Sequence, residues 1–328
     1  IQEVNGLTIG IVGLASMGTP RTAMPTNLEG LRFAPYAETL KSIVPELKGE
    51  GADVLIVISH LCSDEMEALT PTARELDIAL IGGGHCHERM NQIEDGVILI
   101  ESEAYMEAYT RVDLKINPKT GEVVESMAQI KENPPGDEDG AIAAIVNRWQ
   151  TELDDALDQV IGYTDQGVRQ RSPEMFNMVT DAWLSVYPAD IAMSNSGGFR
   201  QDIPPGEITL ADIVGVLPFD NVLIDCELTG EQVIDSYRQS NRNLALGGMR
   251  ARGGYELLDG TPIDRDATYQ VLVNDFMYVG GNGFRFQEYD PDAYHTGIDW
   301  RQPVIEWISG LNTSPEDPLE NHLDNELR

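Results

Sequence analysis

The chain has 328 residues, of which 55 are acidic and 22 basic, so its formal net charge is −33. This charge excludes nucleic acid and anionic lipid as main partners, because a phosphate backbone must be met by a basic surface. Hydrophobic residues make up 41% of the chain, which excludes a disordered acidic tail. At about 150 residues per domain, the length predicts two folded domains. Only five of the basic residues are lysines, and such an acidic surface predicts a halophilic protein that works in strong salt, where charges are screened.

The cysteines and the apolar runs exclude two further classes. Cys62, Cys86 and Cys226 are an odd number without regular spacing, so we predict no disulfide framework. No apolar run reaches the ~18 residues of a membrane-spanning helix. The first residues also lack the charged and apolar regions of a signal peptide.

Over the first 131 residues, short apolar runs alternate with amphipathic stretches. Short apolar runs at 7–13, 53–58 and 78–81 predict buried strands, and amphipathic stretches at 36–49 and 64–76 predict helices. This order predicts βαβ crossovers and a largely parallel α/β sheet. From Val97 onward, runs at 97–100 and 110–116 and a strand after the turn at 117–121 predict an antiparallel meander.

The second half is predicted to be a separate α+β domain. Residues 132–160 comprise an acidic, proline- and glycine-containing linker and a connecting helix, in which apolar residues recur at helical spacing. They are Ile142, Ile145, Trp149, Leu153 and Leu157. Helices at 175–187 and 230–239 and strands at 191–193, 222–228 and 269–273 predict a domain over 161–312. Residues 313–328 are predicted to be a loose acidic tail.

Three of the five histidines follow adjacent predicted strands. His60 ends one strand, and His85 and His87 follow Gly82–Gly84 after the next. Ligands of open α/β sheets bind at the carboxyl ends of the strands, and imidazole suits Zn, Fe, Mn or Ni. We therefore predict a metal site, the alternative being that each histidine is a cap or a core residue. Cys62 and Cys86 could also be ligands, but we interpret them as small buried residues.

A second cluster could bind an anion and a planar ring. Gly197 and Gly198 would expose backbone N–H groups, and Arg200 could clamp a phosphate. Phe219 and Phe276 lie in polar, turn-like surroundings. They could stack on a planar ligand, or each could fill a local apolar pocket.

Together these segments resemble the 5′-nucleotidase family over residues 1–312. The motifs that carry the resemblance are Ser-His-Leu (59–61), Gly-Gly-His-Cys-His (83–87), Arg-x-x-Glu (171–174), Asn-Met-Val-Thr-Asp-Ala (177–182), Asn-Ser-Gly-Gly-Phe-Arg (195–200), Ile-Pro-Pro-Gly-Glu-Ile-Thr (203–209), Leu-Pro-Phe-Asp-Asn (217–221) and Gly-Gly-Asn-Gly-Phe (280–284). The resemblance implies the C-terminal part of a four-layer α/β/β/α metallophosphoesterase domain over 1–131, followed by an α+β 5′-nucleotidase C-terminal domain.

The resemblance also implies residue roles. His60 and His85 match ligands of one metal ion, and His87 matches a ligand of a second. The family uses two divalent ions such as Zn or Mn. The positions that match substrate-binding residues are Arg171 and Arg200 for phosphate, Asn195 and Gly198 for the base and phosphate loop, Phe219 and Phe276 for base stacking, and Asn282 for the ribose. Many relatives have Asp at the last position, which puts sugar selectivity in doubt.

The family's Asp-x-His, bridging Asp and Asn-His-Asp/Glu segments all precede the strand at 7–13 and are absent here. We interpret the Asn-His-Leu-Asp at 321–324 as coincidence. The catalytic residue is therefore unassigned, and the chain is interpreted as a fragment, a truncated product or a degenerate relative. Family tendency implies export or a cell-surface location, with any signal on the absent segment, and a hinge near the 141–160 helix.

The implied function is metal-dependent hydrolysis of the phosphate ester of nucleotides, in nucleotide catabolism, which we expect to be weak or nil in this chain. One alternative is a nucleotide-binding protein whose catalysis has lapsed. Another is a hydrolase of UDP-sugars or 2′,3′-cyclic nucleotides. A hydrolase of sulfur substrates is disfavoured, because a small inorganic substrate needs no base-stacking pair. The sequence leaves the metal, the preferred base and the oligomeric state open.

Overall fold

The computed structural model describes residues 1–117, 120–241 and 243–328. The described chain forms two compact units, one of residues 1–20 and 29–137 and the other of residues 21–28 and 138–328. Pro118 and Lys119 of the turn predicted at 117–121 lie outside the described residues.

The first unit is built from eight described strands and two helices, with a short helix at the boundary of the residue ranges. The elements are β1 (Gln2–Val4), β2 (Leu7–Ala15), α1 (Thr19–Thr22), α2 (Tyr36–Gly49), β3 (Val54–His60), α3 (Ser63–Glu75), β4 (Ile78–Gly82), β5 (Arg89–Glu94), β6 (Val97–Ser102), β7 (Ala108–Ile116) and β8 (Val123–Glu132).

The predicted parallel sheet is present in the first unit. Its strand order is β1-β2-β3-β4-β6-β5, with β2, β3, β4 and β6 parallel and the two edge strands antiparallel. Helices α2 and α3 pack on one face, because Leu40 and Val44 lie four residues apart and Met66, Leu69 and Ala73 follow the helical repeat. This arrangement brings the carboxyl ends of β3 and β4 together at one edge.

The predicted meander is wrong in one respect. Strand β6 pairs in parallel with β4 and so belongs to the main sheet, while β7 and β8 form a separate antiparallel pair. Side chains of β6 are apolar on both faces, with Val97, Ile98 and Leu99 all buried. Such a run is typical of a central parallel strand, which sequence alternation alone does not distinguish from a meander strand.

The second unit has mixed secondary structure. Its elements are α4 (Gly140–Leu157), β9 (Val160–Thr164), α5 (Pro173–Val186), β10 (Ile191–Asn195), β11 (Gly206–Thr209), α6 (Leu210–Val216), β12 (Val222–Thr229), α7 (Gly230–Gln239), β13 (Leu244–Gly247), β14 (Met249–Arg250), β15 (Glu256–Leu257), β16 (Thr268–Asn274), α8 (Asp275–Tyr278), α9 (Phe286–Tyr289), β17 (Tyr294–Asp299) and α10 (Gln302–Leu311).

A five-stranded sheet organises this unit. Its order is β13-β10-β16-β12-β17, in which only β10 and β16 are parallel. Helix α5 begins where Ser172 accepts the Met175 N–H at 3.2 Å and Pro173 occupies the first turn. Its inner side buries Met178, Val179 and Trp183 in the core against α10 and β13.

The predicted connecting helix is α4, but its apolar side chains are not in a core. Ile142, Ile145, Trp149 and Leu153 are each more than half exposed. The capping carboxylate of Asp139 accepts the N–H groups of Ala141 and Ile142, so the helix begins as a solvated element with its own cap. Within the described parts of the chain, no helix is both long and apolar enough to cross a membrane.

The tail predicted to be loose is instead packed on the second unit. Leu319 is fully buried, and Glu320 accepts hydrogen bonds from Thr164, Asp165 and Gln166. Asn177 donates to the carbonyls of Asp324 and Glu326. A polar, proline-containing sequence predicted disorder because its partners lie some 150 residues earlier, beyond the reach of a local pattern.

The tail ends in an ion pair that we expect to stabilise the second unit. The Arg328 side chain is 4% exposed and donates to both carboxylate oxygens of Asp181 at 2.5 and 2.6 Å. Because Arg328→Met leaves Asp181 without its partner, we expect it to lower the free energy of unfolding by about 1–3 kcal/mol. The control Arg111→Met removes an exposed pair with Asp113 and should cost no more than about 0.5 kcal/mol. Equal losses in urea denaturation would contradict the assignment.

Candidate functional site

The first unit holds two of the predicted histidines in contact. His60 is the last residue of β3, and β3 pairs in parallel with β4, so Ile58 lies opposite Gly82. The loop after β4 then brings His85 back, and its Nδ1 lies 3.0 Å from Nε2 of His60. Both side chains are exposed. The parallel register therefore determines which imidazoles meet.

Two imidazole nitrogens 3.0 Å apart fit a shared metal ion. The same distance also fits a hydrogen bond between the two rings, and imidazole nitrogens are common ligands of divalent metal ions. His87 lies apart from this pair, and its ring contacts Tyr105 with 5.9 Å between centroids. Among the described residues, no group of three or more His, Cys, Asp or Glu side chains is arranged to hold a metal. The pair fits an ion, but the described ligand set is incomplete.

The two cysteines beside these histidines are disulfide-bonded. Cys62 and Cys86 are joined across 24 residues, with Cα atoms 5.2 Å apart. The sequence predicted no disulfide framework and did not reveal this single bond, and the interpretation of the two cysteines as small buried residues is wrong, because Cys62 is partly buried and Cys86 is exposed. Neither thiolate is available as a ligand. Cys62 follows β3 and Cys86 follows β4, and the parallel pairing of these strands brings the two residues within bonding distance.

The second unit has its own strand-end site. Strands β10 and β16 are parallel, so their last residues, Asn195 and Asn274, lie side by side, and Asn274 Nδ2 donates to Asn195 Oδ1 at 2.9 Å. Asn274 Oδ1 also accepts the Met277 N–H and so caps α8. Asn195 is thus fixed by its neighbour, at the kind of sheet edge where α/β proteins bind ligands.

Phe219 and Phe276 belong to segments joined by a hydrogen bond. Asn221 Nδ2 donates to Asp275 Oδ1, which also accepts the Phe276 N–H at 2.8 Å. The Phe219 ring is 47% exposed and the Phe276 ring is partly buried. The Phe276 ring lies against the backbone of Gly281, where any Cβ would collide with it. Phe219 is therefore exposed, whereas Phe276 also packs against the hydrophobic core of this unit.

The side chain of Trp300 connects these segments. This fully buried indole donates its Nε1 hydrogen to the Phe219 carbonyl at 2.8 Å, and its backbone N–H donates to the Asn221 carbonyl at 3.1 Å. The ring also lies so close to Gly198 that a Cβ there would come within 2.9 Å of it. The glycine loop and the Phe219 loop thus rest on one side chain.

Arg301 also holds the Phe219 loop. Its guanidinium donates to Asp220 at 2.7 Å and to Asp299 at 2.8 Å. Burial acts to raise the pKa of Asp299, but hydrogen bonds from Arg301 outweigh it and hold that pKa below its usual value. Trp300 and Arg301 together therefore restrain the Phe219 loop, through Phe219, Asp220 and Asn221.

The two predicted phosphate arginines lie on segments that are joined to each other. Gln170 Nε2 donates to the Phe199 carbonyl at 2.6 Å, and the Gln170 N–H donates to Asp202 at 2.6 Å. Arg171, next to Gln170, has a φ of 58°, a left-handed conformation that is costly for a residue with a Cβ. Neither Arg171 nor Arg200 forms an ion pair with any described residue, although the chain has 55 acidic residues.

Asn282 lies in a short 3₁₀ turn at Gly281–Gly283 and is exposed, with a φ of 54°. Asparagine tolerates this left-handed conformation better than most residues. Its Nδ2 donates to the Arg21 carbonyl at 3.5 Å, and its Oδ1 is exposed at the turn after Phe276.

The chain is similar in sequence to known proteins. The family model described as "5′-nucleotidase, C-terminal domain" matches residues 156–288, which include Arg171, Arg200, Phe219 and Phe276. This match assigns residues 156–288 to that domain family. Similar proteins include the cell wall protein Lmo0130 of Listeria monocytogenes, which is 25% identical over 87% of this chain and 44% of its own length. The 5′-nucleotidase of Vibrio cholerae is 23% identical over 91% of this chain and 66% of its own.

The fold of this chain is also similar to that of solved structures. The 5′-nucleotidase precursor from Thermus thermophilus gives a TM-score of 0.79 at 22% identity, over 94% of this chain and 71% of that one. This likeness establishes the fold, a metallophosphoesterase-type α/β part followed by an α+β C-terminal domain. The chain spans less than half the length of the Listeria relative.

Sequence reasoning missed the residues that hold this family site in place. Trp300, Asn221, Asn274 and Gln170 were not singled out, nor was the disulfide. Tryptophan is rare in the chain, with four in 328 residues, and its position directly after an amphipathic run was the one available signal for Trp300. The others act through partners 29–79 residues away, which no local pattern reveals.

The disulfide determines how many cysteine thiols of the chain can react with a thiol reagent. Cys226 is fully buried, and burial raises the pKa of its thiol, so it should not react in the native protein. We expect a thiol reagent to titrate no thiol in the native chain, one per chain in denaturant, and three after reduction in denaturant. A count of three in denaturant without reductant would contradict the Cys62–Cys86 bond. The variant Cys226→Ala is the control, with expected counts of zero, zero and two.

Proposed function

We propose that the family site of which this chain forms part hydrolyses the phosphate ester of nucleotides, and that the second unit binds the nucleoside and its phosphate. The observation that carries the proposal is that the segments of Phe219 and Phe276 are joined by the Asn221–Asp275 hydrogen bond, with Phe219 47% exposed and Phe276 partly buried against the core. The names of relatives, such as the 5′-nucleotidase of Vibrio cholerae, support the substrate class.

Base binding would use the two rings and Asn195. Stacking of a base on an aromatic side chain contributes about 1–3 kcal/mol and tolerates different bases. Asn195 uses its Oδ1 for Asn274, which leaves its Nδ2 hydrogens for an acceptor on the base. Asn282 would offer both a donor and an acceptor to the ribose hydroxyls, without the negative charge of an aspartate.

Phosphate binding would use Arg171, Arg200 and the turn at Gly198. Arg171 and Arg200 form no ion pair with a described residue, and they lie on segments joined by Gln170. A planar guanidinium can bind two phosphate oxygens at once. The chain's net charge of −33 would repel an anionic substrate elsewhere, so these arginines also direct it to one place.

Metal binding would use His60 and His85 for one ion and His87 for a second. When bound, divalent ions supply an activated water near neutral pH and neutralise charge that develops on the phosphate. The chain's own part is to hold the His60 and His85 nitrogens 3.0 Å apart and to keep the loop between β4 and β5 fixed through the disulfide. The identity of the metal is not part of the proposal.

A second candidate is a nucleotide-binding protein without hydrolytic activity. It is favoured by one observation, that the described residues contain no group of three or more metal ligands. The hydrolysis of UDP-sugars or 2′,3′-cyclic nucleotides would use the same stacking pair, so competition among these ligands for binding separates the substrate classes.

The proposal also includes the salt concentration at which the protein works and its location. The excess of 55 acidic over 22 basic residues supports work in strong salt, where repulsion between carboxylates is screened. A disulfide beside the histidines supports a location outside the reducing cytosol, and one relative is named as a cell wall protein.

Nucleoside binding should depend on the aromatic pair. We expect calorimetry in molar KCl to detect adenosine and AMP binding, and Phe276→Ala to weaken both by about 5- to 150-fold, because one stacking surface is lost. Tyr294→Ala, which removes an aromatic ring that is 63% exposed on β17, should leave both affinities unchanged. Equal affinities of Phe276→Ala and the wild type would contradict the proposed base site.

Hydrolysis should be slow and should depend on His85. With Mn²⁺ present, we expect phosphate release from AMP below about 1 s⁻¹, the low end of usual enzyme rates, because the described ligand set is incomplete. Any activity should fall in His85→Ala and not in His295→Ala, which changes a histidine of the second unit. Activity that is indifferent to His85 would contradict the metal assignment, and a rate well above 1 s⁻¹ would contradict the expectation of weak hydrolysis.

A further inference from the structure

The loop that carries His85 and His87 has an unusual backbone. The φ angles of these two residues are 73° and 58°, in the left-handed region that favours glycine. Each such residue costs on the order of 1 kcal/mol or more and persists only where the surroundings determine it. Something in the first unit must therefore hold the loop in this form.

The first half of the loop has clear restraints. The N–H of Gly83 donates to the Ile100 carbonyl at 2.7 Å, and the N–H of Gly84 donates to the Leu61 carbonyl at 3.0 Å. The disulfide then fixes Cys86 to Cys62. These contacts restrain the chain as far as Cys86, between the two histidines.

The second half is restrained by two contacts of Glu88. The Glu103 N–H donates to the Glu88 carbonyl at 2.9 Å. Glu101, on β6, is 2% exposed, and its Oε1 accepts the Glu88 N–H at 3.1 Å. Its other oxygen, Oε2, is buried without a hydrogen-bond partner among the described residues. Burial of a carboxylate is costly, so Glu101 occupies a position where an apolar residue would otherwise be favoured.

We propose that Glu101 is a positioning residue for the histidine loop. By accepting the Glu88 N–H from inside the sheet, it fixes the backbone directly after His87 and, together with the disulfide, the direction in which the imidazoles of His85 and His87 project. The positioning is a property of the metal-free chain. Its value for catalysis rests on the proposed function, in which these imidazoles are metal ligands.

Two variants separate the acceptor role from packing. Glu101→Leu keeps most of the volume and removes both acceptor oxygens, whereas Glu101→Gln keeps an acceptor at the Oε1 position. The chain has five histidines, so imidazole signals in a ¹H–¹⁵N NMR spectrum can be assigned by single substitutions. His295 and His322 lie in the second unit and serve as internal references.

We expect Glu101→Leu to shift the signals of His85 and His87 and to leave those of His295 and His322 in place. Glu101→Gln should keep the wild-type spectrum, which a requirement for the buried charge alone would not predict. Glu94→Ala, at an exposed position on β5, is the matched control and should change nothing. Unchanged signals of His85 and His87 in Glu101→Leu would overturn the proposal.

Hydrogen exchange on the wild type gives a second test that needs no variant to fold. Glu88 is an exposed residue, yet its N–H is bonded to a buried carboxylate, so its exchange should be slowed well below that of a free amide. Exchange at the unprotected rate would overturn the proposal even if Glu101→Leu were unfolded.

Metal affinity connects the positioning role to the proposed site. Where wild-type chain binds Zn²⁺ or Mn²⁺, we expect Glu101→Leu to weaken binding by about 10- to 100-fold, as for other residues that orient metal ligands, and Glu101→Gln to restore it. If the wild type binds no metal but the histidine signals respond as described, the proposed metal function fails and the positioning role of Glu101 stands.

Discussion

The buried indole of Trp300 donates to the Phe219 carbonyl, lies against Gly198 and receives, at its own carbonyl, a hydrogen bond from the buried Trp183 at 2.9 Å. One rigid side chain thus holds the Phe219 loop and the glycine loop against α5. A flexible residue would allow the two loops to move independently. The arrangement of the second unit's candidate site depends on this contact.

Both candidate sites use the same geometric device. In each unit, two parallel strands end side by side, β3 with β4 and β10 with β16, and polar residues at or just after those ends meet: His60 with His85, and Asn195 with Asn274. The residues that follow then adopt costly backbone conformations, as at His85, His87 and Asn282. These conformations persist because covalent or buried polar contacts restrain them, which is the physical role of the disulfide, of Glu101 and of the Asn274 cap.

The arginines fall into two classes, those that pair with acidic side chains and those that do not. Most arginines with a described partner pair with acidic neighbours, as Arg328 does with Asp181 and Arg301 does with Asp220 and Asp299. Arg171 and Arg200 form no such pair among the described residues, so their charge is available to a ligand. Each paired arginine stabilises the fold, whereas the unpaired ones would gain most when an anion binds.

The sequence by itself determined the order of strands and helices, the parallel α/β sheet of the first unit and the α+β nature of the second, because burial imposes periods that one segment reveals. It also singled out the histidines and Arg200 at strand ends and Phe219 and Phe276 in polar turns, whereas Arg171 came only from the family resemblance. Only the tertiary structure decided that Cys62 bonds to Cys86, that residues 313–328 pack on the second unit and that Trp300 and Glu101 hold the loops. Each of these depends on strand order and register, which bring distant residues together and leave no trace in local spacing.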